Sequence, residues 1–167
     1  MGFFDHFKKQ DDKASALSCV LAADAKGVAM DMDAVPDPAF SGGAMGRCCG
    51  IDPTEGKVYA PADATITQLH SSFHAISMTT TAGVDLLIHI GVDTYEMNGD
   101  GFAASVREGD KVKKGQLLLT MDLDKIKAAG HSAVVITAVT NSEELAGVEL
   151  VASGTVEPGQ DLLKVTA

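Results

Sequence analysis

His74 and His89 sit on the two arms of one stretch, Ser72-Phe73-His74-Ala75-Ile76-Ser77-Met78 and Asp85-Leu86-Leu87-Ile88-His89-Ile90-Gly91-Val92-Asp93-Thr94. A Thr-rich segment closing on Gly83 joins the arms. Both arms are apolar and β-branched, so the stretch reads as strand, tight turn and returning strand. A two-residue loop at Thr81-Ala82, or a four-residue loop from Thr80 to Gly83, pairs Met78 with Asp85, Ile76 with Leu87 and His74 with His89. A three-residue loop with a Gly bulge slips the register by one and sets the histidines diagonally. Either way, two imidazoles leave one hairpin as neighbours.

Neighbouring imidazoles can bind a metal, exchange protons, or combine a nucleophile with a stabilising donor. Imidazole has an ordinary pKa of about 6.5, so its neutral, nucleophilic form is abundant near neutral pH. A second imidazole beside it can donate a hydrogen bond to a phosphoryl oxygen or a developing anion. A single histidine on an apolar strand is usually a satisfied structural residue. The pairing is what points to chemistry.

The elements that must position this pair are strands. Aromatic residues make up 5% of the 167-residue chain and Trp is absent, so the core is built from Val, Leu, Ile, Ala and Met. Strands are expected at 18–22, 27–32, 57–59, 65–69, 75–79, 85–90, 116–121, 134–140, 147–151 and 162–165. Their spacing predicts an all-β antiparallel sandwich or barrel-sandwich hybrid. One short helix is expected at 122–129, capped by Asp122 and stopped by Gly130, with a single further turn at 142–145. Asp33–Phe40 is a loop fixed by two prolines, and Ser41–Gly46 is flexible by composition. Asn98–Phe102 is a turn-rich segment whose N–H groups could also wrap an anion.

A formal charge of −10 excludes nucleic acid as a natural partner and suits a basic docking face. The three cysteines, two of them adjacent at Cys48-Cys49, make a poor disulfide framework and read as reduced, packed thiols. With no secretory signal and no apolar run near the ~20 residues of a membrane span, the expected location is cytoplasmic. Residues 1–17 read as a separate arm and 18–167 as the folded domain. On a helix, Phe3, Phe4 and Phe7 would share a face flanked by Lys8-Lys9, so residues 1–9 could make weak contact with the inner face of the membrane.

The motifs "DAVPDPAF" (33–40), "KVYAPADATI" (57–66), "SFHAISM" (72–78), "GVDLLIHIGVDTYEMNGDGF" (83–102) and "REGDKVKKGQLLL" (107–119) together resemble the glucose-type IIA component of the bacterial phosphoenolpyruvate-dependent sugar phosphotransferase system. The resemblance runs from about Ser18 to the C-terminus. It implies a phosphoryl carrier in sugar uptake, in which His89 is phosphorylated by the histidine-containing phosphocarrier protein (HPr). His89 then passes the group to a cysteine on the IIB domain of a sugar permease. It further implies that His74 hydrogen-bonds the phosphoryl group, with the Ser72 hydroxyl in support. Asp37 and Asp93 would meet a basic partner, and Phe40, Ile88, Ile90 and Met97 would form an apolar, water-excluding rim. The chain departs from the family pattern at Phe73, where a polar residue is usual, at Cys48-Cys49-Gly50 and at Ala64.

Two rival readings use the same residues. A zinc peptidase on a related scaffold needs three protein ligands and an open position. His89-x-x-x-Asp93 exists, but no His-x-His does. His70 is expected to lie too far along its strand to join His74 and His89. No cofactor is required, although a partner's carboxylate could complete a zinc site at His74 and His89. A purely regulatory binding module would use the same face.

Overall fold

The computed structural model describes residues 16–167, and the expected amphipathic arm at residues 1–9 lies outside them. The described residues form three antiparallel sheets. The largest has eight strands and carries β2 (Gly27–Asp31), β3 (Arg47–Pro53), β5 (Ala64–Leu69), β6 (Ala75–Thr80), β7 (Asp85–Ile90), β9 (Lys111–Val112), β11 (Val135–Val139) and β13 (Thr155–Val156). Its strand order is β13-β2-β3-β11-β7-β6-β5-β9. A second sheet holds β4 (Lys57–Tyr59), β10 (Leu117–Met121) and β8 (Phe102–Ala104), and a third holds β1 (Cys19–Ala22), β14 (Asp161–Thr166) and β12 (Gly147–Leu150).

The β6–β7 hairpin takes the three-residue loop. Ile76 pairs with Ile88, Ser77 with Leu87, Met78 with Leu86 and Thr79 with Asp85. Gly83 adopts φ +83 and its N–H donates to the Thr80 carbonyl, which places the bulge there. The two-residue and four-residue registers are therefore displaced by one. Ile76, Met78, Leu86, Ile88 and Ile90 all enter the main core. His89, on the alternate face of β7, faces the other way.

That other face is closed by a second apolar cluster of Val35, Phe40, Cys48, Val134, Ile136 and Ala138, with Leu87 packed against it. Val35 and Phe40 come from the segment that crosses between β2 and β3. Asp37 caps the short helix α1 (Pro38–Ser41) by accepting from Ala39 N–H at 3.0 Å, and Pro38 opens it. The capping pair turns Phe40 down onto the sheet beside His89. The one helix expected from the sequence is α2 (Leu123–Ala128), with Asp122 accepting from Lys125 N–H.

Among the described residues, one acidic side chain is buried in the interior. Asp24 is fully buried, its Oδ2 accepts the Thr137 hydroxyl, and its Oδ1 has no partner. Burial outweighs that hydrogen bond and pushes its carboxyl up to about 6. The three cysteines are free thiols, with Cys48 and Cys49 buried in the packing. Burial raises the Cys48 thiol to about 11, which leaves it protonated and inert at neutral pH.

Candidate functional site

The turn after β7 fixes His89. Gly91 has φ +79, and a Cβ there would collide with the Thr94 methyl and come within 2.7 Å of the Ser132 carbonyl oxygen. Only glycine fits. In this conformation the Gly91 carbonyl oxygen lies 2.8 Å from His89 Nδ1. A carbonyl can only accept, so Nδ1 carries the proton and Nε2 keeps its lone pair. The turn is pinned from behind by Gly91 N–H to Val134 O at 2.7 Å and Val92 N–H to Ser132 O at 3.0 Å. The Thr94 hydroxyl donates to the Ile90 carbonyl.

His74 arrives from the β5–β6 turn. It precedes the first paired residue of β6 and follows Phe73, which is left-handed at φ +58. Its carbonyl accepts from Ile90 N–H at 2.7 Å. Despite the diagonal register, the His74 and His89 rings meet edge-on with centroids 5.2 Å apart. His74 is 6% exposed, and its Nδ1 is buried without a partner.

Rings surround the pair. Phe40 lies 5.1 Å from His89, and Tyr95 lies 6.3 Å from His74. His70 meets His74 edge-on at 4.3 Å. His70 therefore lies against His74 rather than far along the strand as expected, although His70, His74 and His89 are not grouped to hold a metal. Residues 70–74 are not extended strand but a tight turn, with Phe73 N–H on the His70 carbonyl and His70 N–H on the Ala75 carbonyl. The turn folds His70 back onto His74.

Burial, then the neighbouring His89 and His70, lowers the His74 pKa to about 4. Burial also lowers that of His89, against the opposing pull of the Gly91 carbonyl, Asp37 and Asp93. Both rings are therefore neutral at pH 7. The arrangement offers an in-plane lone pair at His89 Nε2 in an apolar surround, with a neutral imidazole beside it.

The remaining expected residues divide. Asp93 is exposed and Asp37 half-buried, and both carboxylates act on His89. Ser72 is half-buried, and its N–H donates to His70 Nδ1 at 3.2 Å. Met97 is half-buried and packs on the main core. Ile88 and Ile90 are fully buried, so neither belongs to a rim. Strand alternation sends them to the core face when His89 points out. Phe40, at 4% exposure, is a cover on His89 rather than an open rim residue.

The turn-rich 98–102 segment is a chain of turns that spends three of its five N–H groups internally: Asn98 on Tyr95 O, Asp100 on Met97 O and Phe102 on Gly99 O. Exposed Tyr95 was not predicted; its only signal was an aromatic two residues past Asp93 in a turn. Among the described residues, the non-glycine residues with left-handed backbone are Phe73, Asp93 and Asn98, of which Phe73 directly precedes His74 and Asp93 lies in the turn after His89.

Among the described residues, no three His, Cys, Asp or Glu side chains are grouped to hold a metal. No described helix is long and apolar enough to cross a membrane.

A family model described as phosphoenolpyruvate-dependent sugar phosphotransferase system, EIIA 1, matches residues 19–145. The chain is 38% identical over 156 residues to the glucose-specific EIIA component of Halalkalibacterium halodurans, covering 93% of this chain and 90% of the relative. It is 41% identical over 134 residues to the β-glucoside-specific EIIBCA component of Dickeya chrysanthemi, covering 80% of this chain but only 21% of that longer protein. Among solved structures, glucose permease IIA from Mycoplasma capricolum superposes with a TM-score of 0.79 at 26% identity, covering 88% of this chain and 95% of the other. These likenesses give the zinc-peptidase reading no support. The chain belongs to the EIIA 1 family of the phosphoenolpyruvate-dependent sugar phosphotransferase system and is a phosphoryl carrier of that system.

Proposed function

We propose that His89 Nε2 is the atom that carries the phosphoryl group. HPr phosphohistidine is the donor: its N–P bond breaks as the Nε2–P bond forms, and the group then leaves for the cysteine sulfur of a permease IIB domain. The observation that carries this reading is the 2.8 Å contact between His89 Nδ1 and the Gly91 carbonyl. It holds the proton on Nδ1 and leaves a nucleophilic lone pair in a fixed direction.

His74 then works as a neutral donor through Nε2–H to a phosphoryl oxygen. Its buried Nδ1 has no acceptor, so an imidazolium would bury a second N–H unpaired. The Ser72 hydroxyl supports the same oxygens. Phe40 keeps water from the phosphohistidine, while Asp37, Asp93, Met97 and Tyr95 meet the partner. The carboxylates favour a basic partner face, an attraction that weakens with salt. In this reading residues 18–167 are the carrier domain and residues 1–17 an appended arm. The domain works in the cytoplasm, and residues 1–9 make weak contact with the inner membrane face. The transfer requires no metal; zinc at His74 and His89 would need a carboxylate from another protein.

Intact mass after incubation with phosphoenolpyruvate, the system's first enzyme and HPr tests the assignment. Wild type gains one acid-labile phosphoryl group, His89→Ala none, and His74→Ala gains it but passes it on poorly. An adduct that persists on His89→Ala would overturn the assignment.

A further inference from the structure

His74 presents a positioning problem that His89 does not. The Gly91 carbonyl fixes the His89 ring. The His74 ring has a buried Nδ1 with no partner. Neutral imidazole donates usefully only within a narrow cone, so an unanchored ring would spend much of its time misaligned. What touches the ring instead is another ring: His70, edge-on, with centroids at 4.3 Å and planes at 62°. This is closer than the contact with His89 at 5.2 Å or with Tyr95 at 6.3 Å.

We infer that His70 is a positioning residue for the phosphoryl transfer, its ring packing edge-on against His74 and setting the angle at which His74 faces His89. The inference rests on the carrier reading of His89 and His74. His70 is itself held in place. Its Nδ1 accepts from Ser72 N–H at 3.2 Å and its carbonyl accepts from Phe73 N–H at 2.8 Å, so the turn bearing left-handed Phe73 closes around it. Of the two contacts its side chain makes, the ring packing is the one that reaches His74. The Ser72 N–H lies in an exposed turn, where water replaces a lost acceptor.

Three substitutions separate the contacts. His70→Ala removes both, His70→Phe keeps a ring without the acceptor, and His70→Asn keeps an acceptor for the N–H two residues on without a ring. The measurements are the rates of phosphoryl uptake from HPr and delivery to a IIB domain, with KM separated from kcat. Nitrogen-15 spectra of the His74 and His89 rings are recorded in the unphosphorylated protein. We expect His70→Ala and His70→Asn to lower kcat for delivery roughly tenfold with KM unchanged. Both should shift the His74 ring resonances while leaving those of His89 in place. His70→Phe should recover most of the rate and the His74 signals.

Rates within twofold of wild type for His70→Ala, recovery by His70→Asn but not His70→Phe, or a change confined to KM would each overturn the inference. Wild-type protein that takes up no phosphoryl group would remove the carrier reading instead. The ring spectra would still decide whether His70 orients His74.

Discussion

The turn after β7 and the turn before β6 deliver an imidazole to one spot by different physics. The first uses a directional contact: left-handed Gly91 turns its carbonyl onto His89 Nδ1, and three further hydrogen bonds from Gly91, Val92 and Thr94 hold that turn. The second uses shape: left-handed Phe73 brings His74 under a ring, and the buried Nδ1 of His74 meets no acceptor. A hydrogen bond selects a tautomer as well as an orientation, and ring packing selects only an orientation. The difference fits the tasks. A nucleophile must present a lone pair from a known atom, whereas a donor to a spread phosphoryl charge needs only to face it.

Substitutions on each side should break this contrast unequally. Gly91→Ala should have the largest effect: it forces an l-residue into φ +79 against the Ser132 carbonyl. A loss of about 2–4 kcal/mol in urea unfolding and near-complete loss of phosphoryl uptake are expected. His74→Ala should leave uptake detectable but slow delivery to the IIB domain roughly 100-fold, the usual scale for losing one charge-stabilising donor, as read in single-turnover transfer. Tyr95→Ala should slow delivery only about threefold, since it lies at the far edge of the ring cluster.

The subtlest effect is on pH dependence. Burial holds the His89 pKa below 6.5, so uptake should stay flat from alkaline pH down to that value and fall only as His89 protonates below it. Asp37 and Asp93 pull that pKa upward. Asp37→Asn should therefore move the fall to lower pH in a stopped-flow profile, and a move to higher pH would contradict the assigned electrostatics.

Much of the scaffold was legible because it alternates. β4 and β7 run over the residues expected, and most other expected strands differ by a residue or two at their ends. β3 was not, although it is a long strand inside the sheet. Cys48, Cys49, Gly50 and Ile51 are buried in succession, so no period-two signal exists, and Gly50 and Pro53 read as breakers. α1 was missed despite its Asp37-Pro38 start, because four residues give no helical period.

In the site, the pair itself was readable from the hairpin. Its exact register turned on whether Gly83 bulges, which composition alone leaves open. His70 was misplaced because an i, i+4 spacing was taken along a strand, when left-handed Phe73 bends the chain back. Ile88 and Ile90 were put on the wrong face, since neighbours of an outward His89 must point inward.

Asp24 couples folding to proton uptake at its own carboxyl, opposite in sign to the proton release that burial imposes on His74. The carboxyl titrates near 3.8 in the open chain and about 6 in the fold, so between those values this group holds more protons in the native state than in the unfolded one. Stability from this group is full in acid and is lost as pH rises from about 4 to 6, by roughly 3 kcal/mol across the window. Most small domains weaken toward acid as paired carboxylates protonate; here one interior carboxyl opposes that trend. Calorimetry of Asp24→Asn, whose amide carries no titration, should show the melting temperature losing this opposing slope.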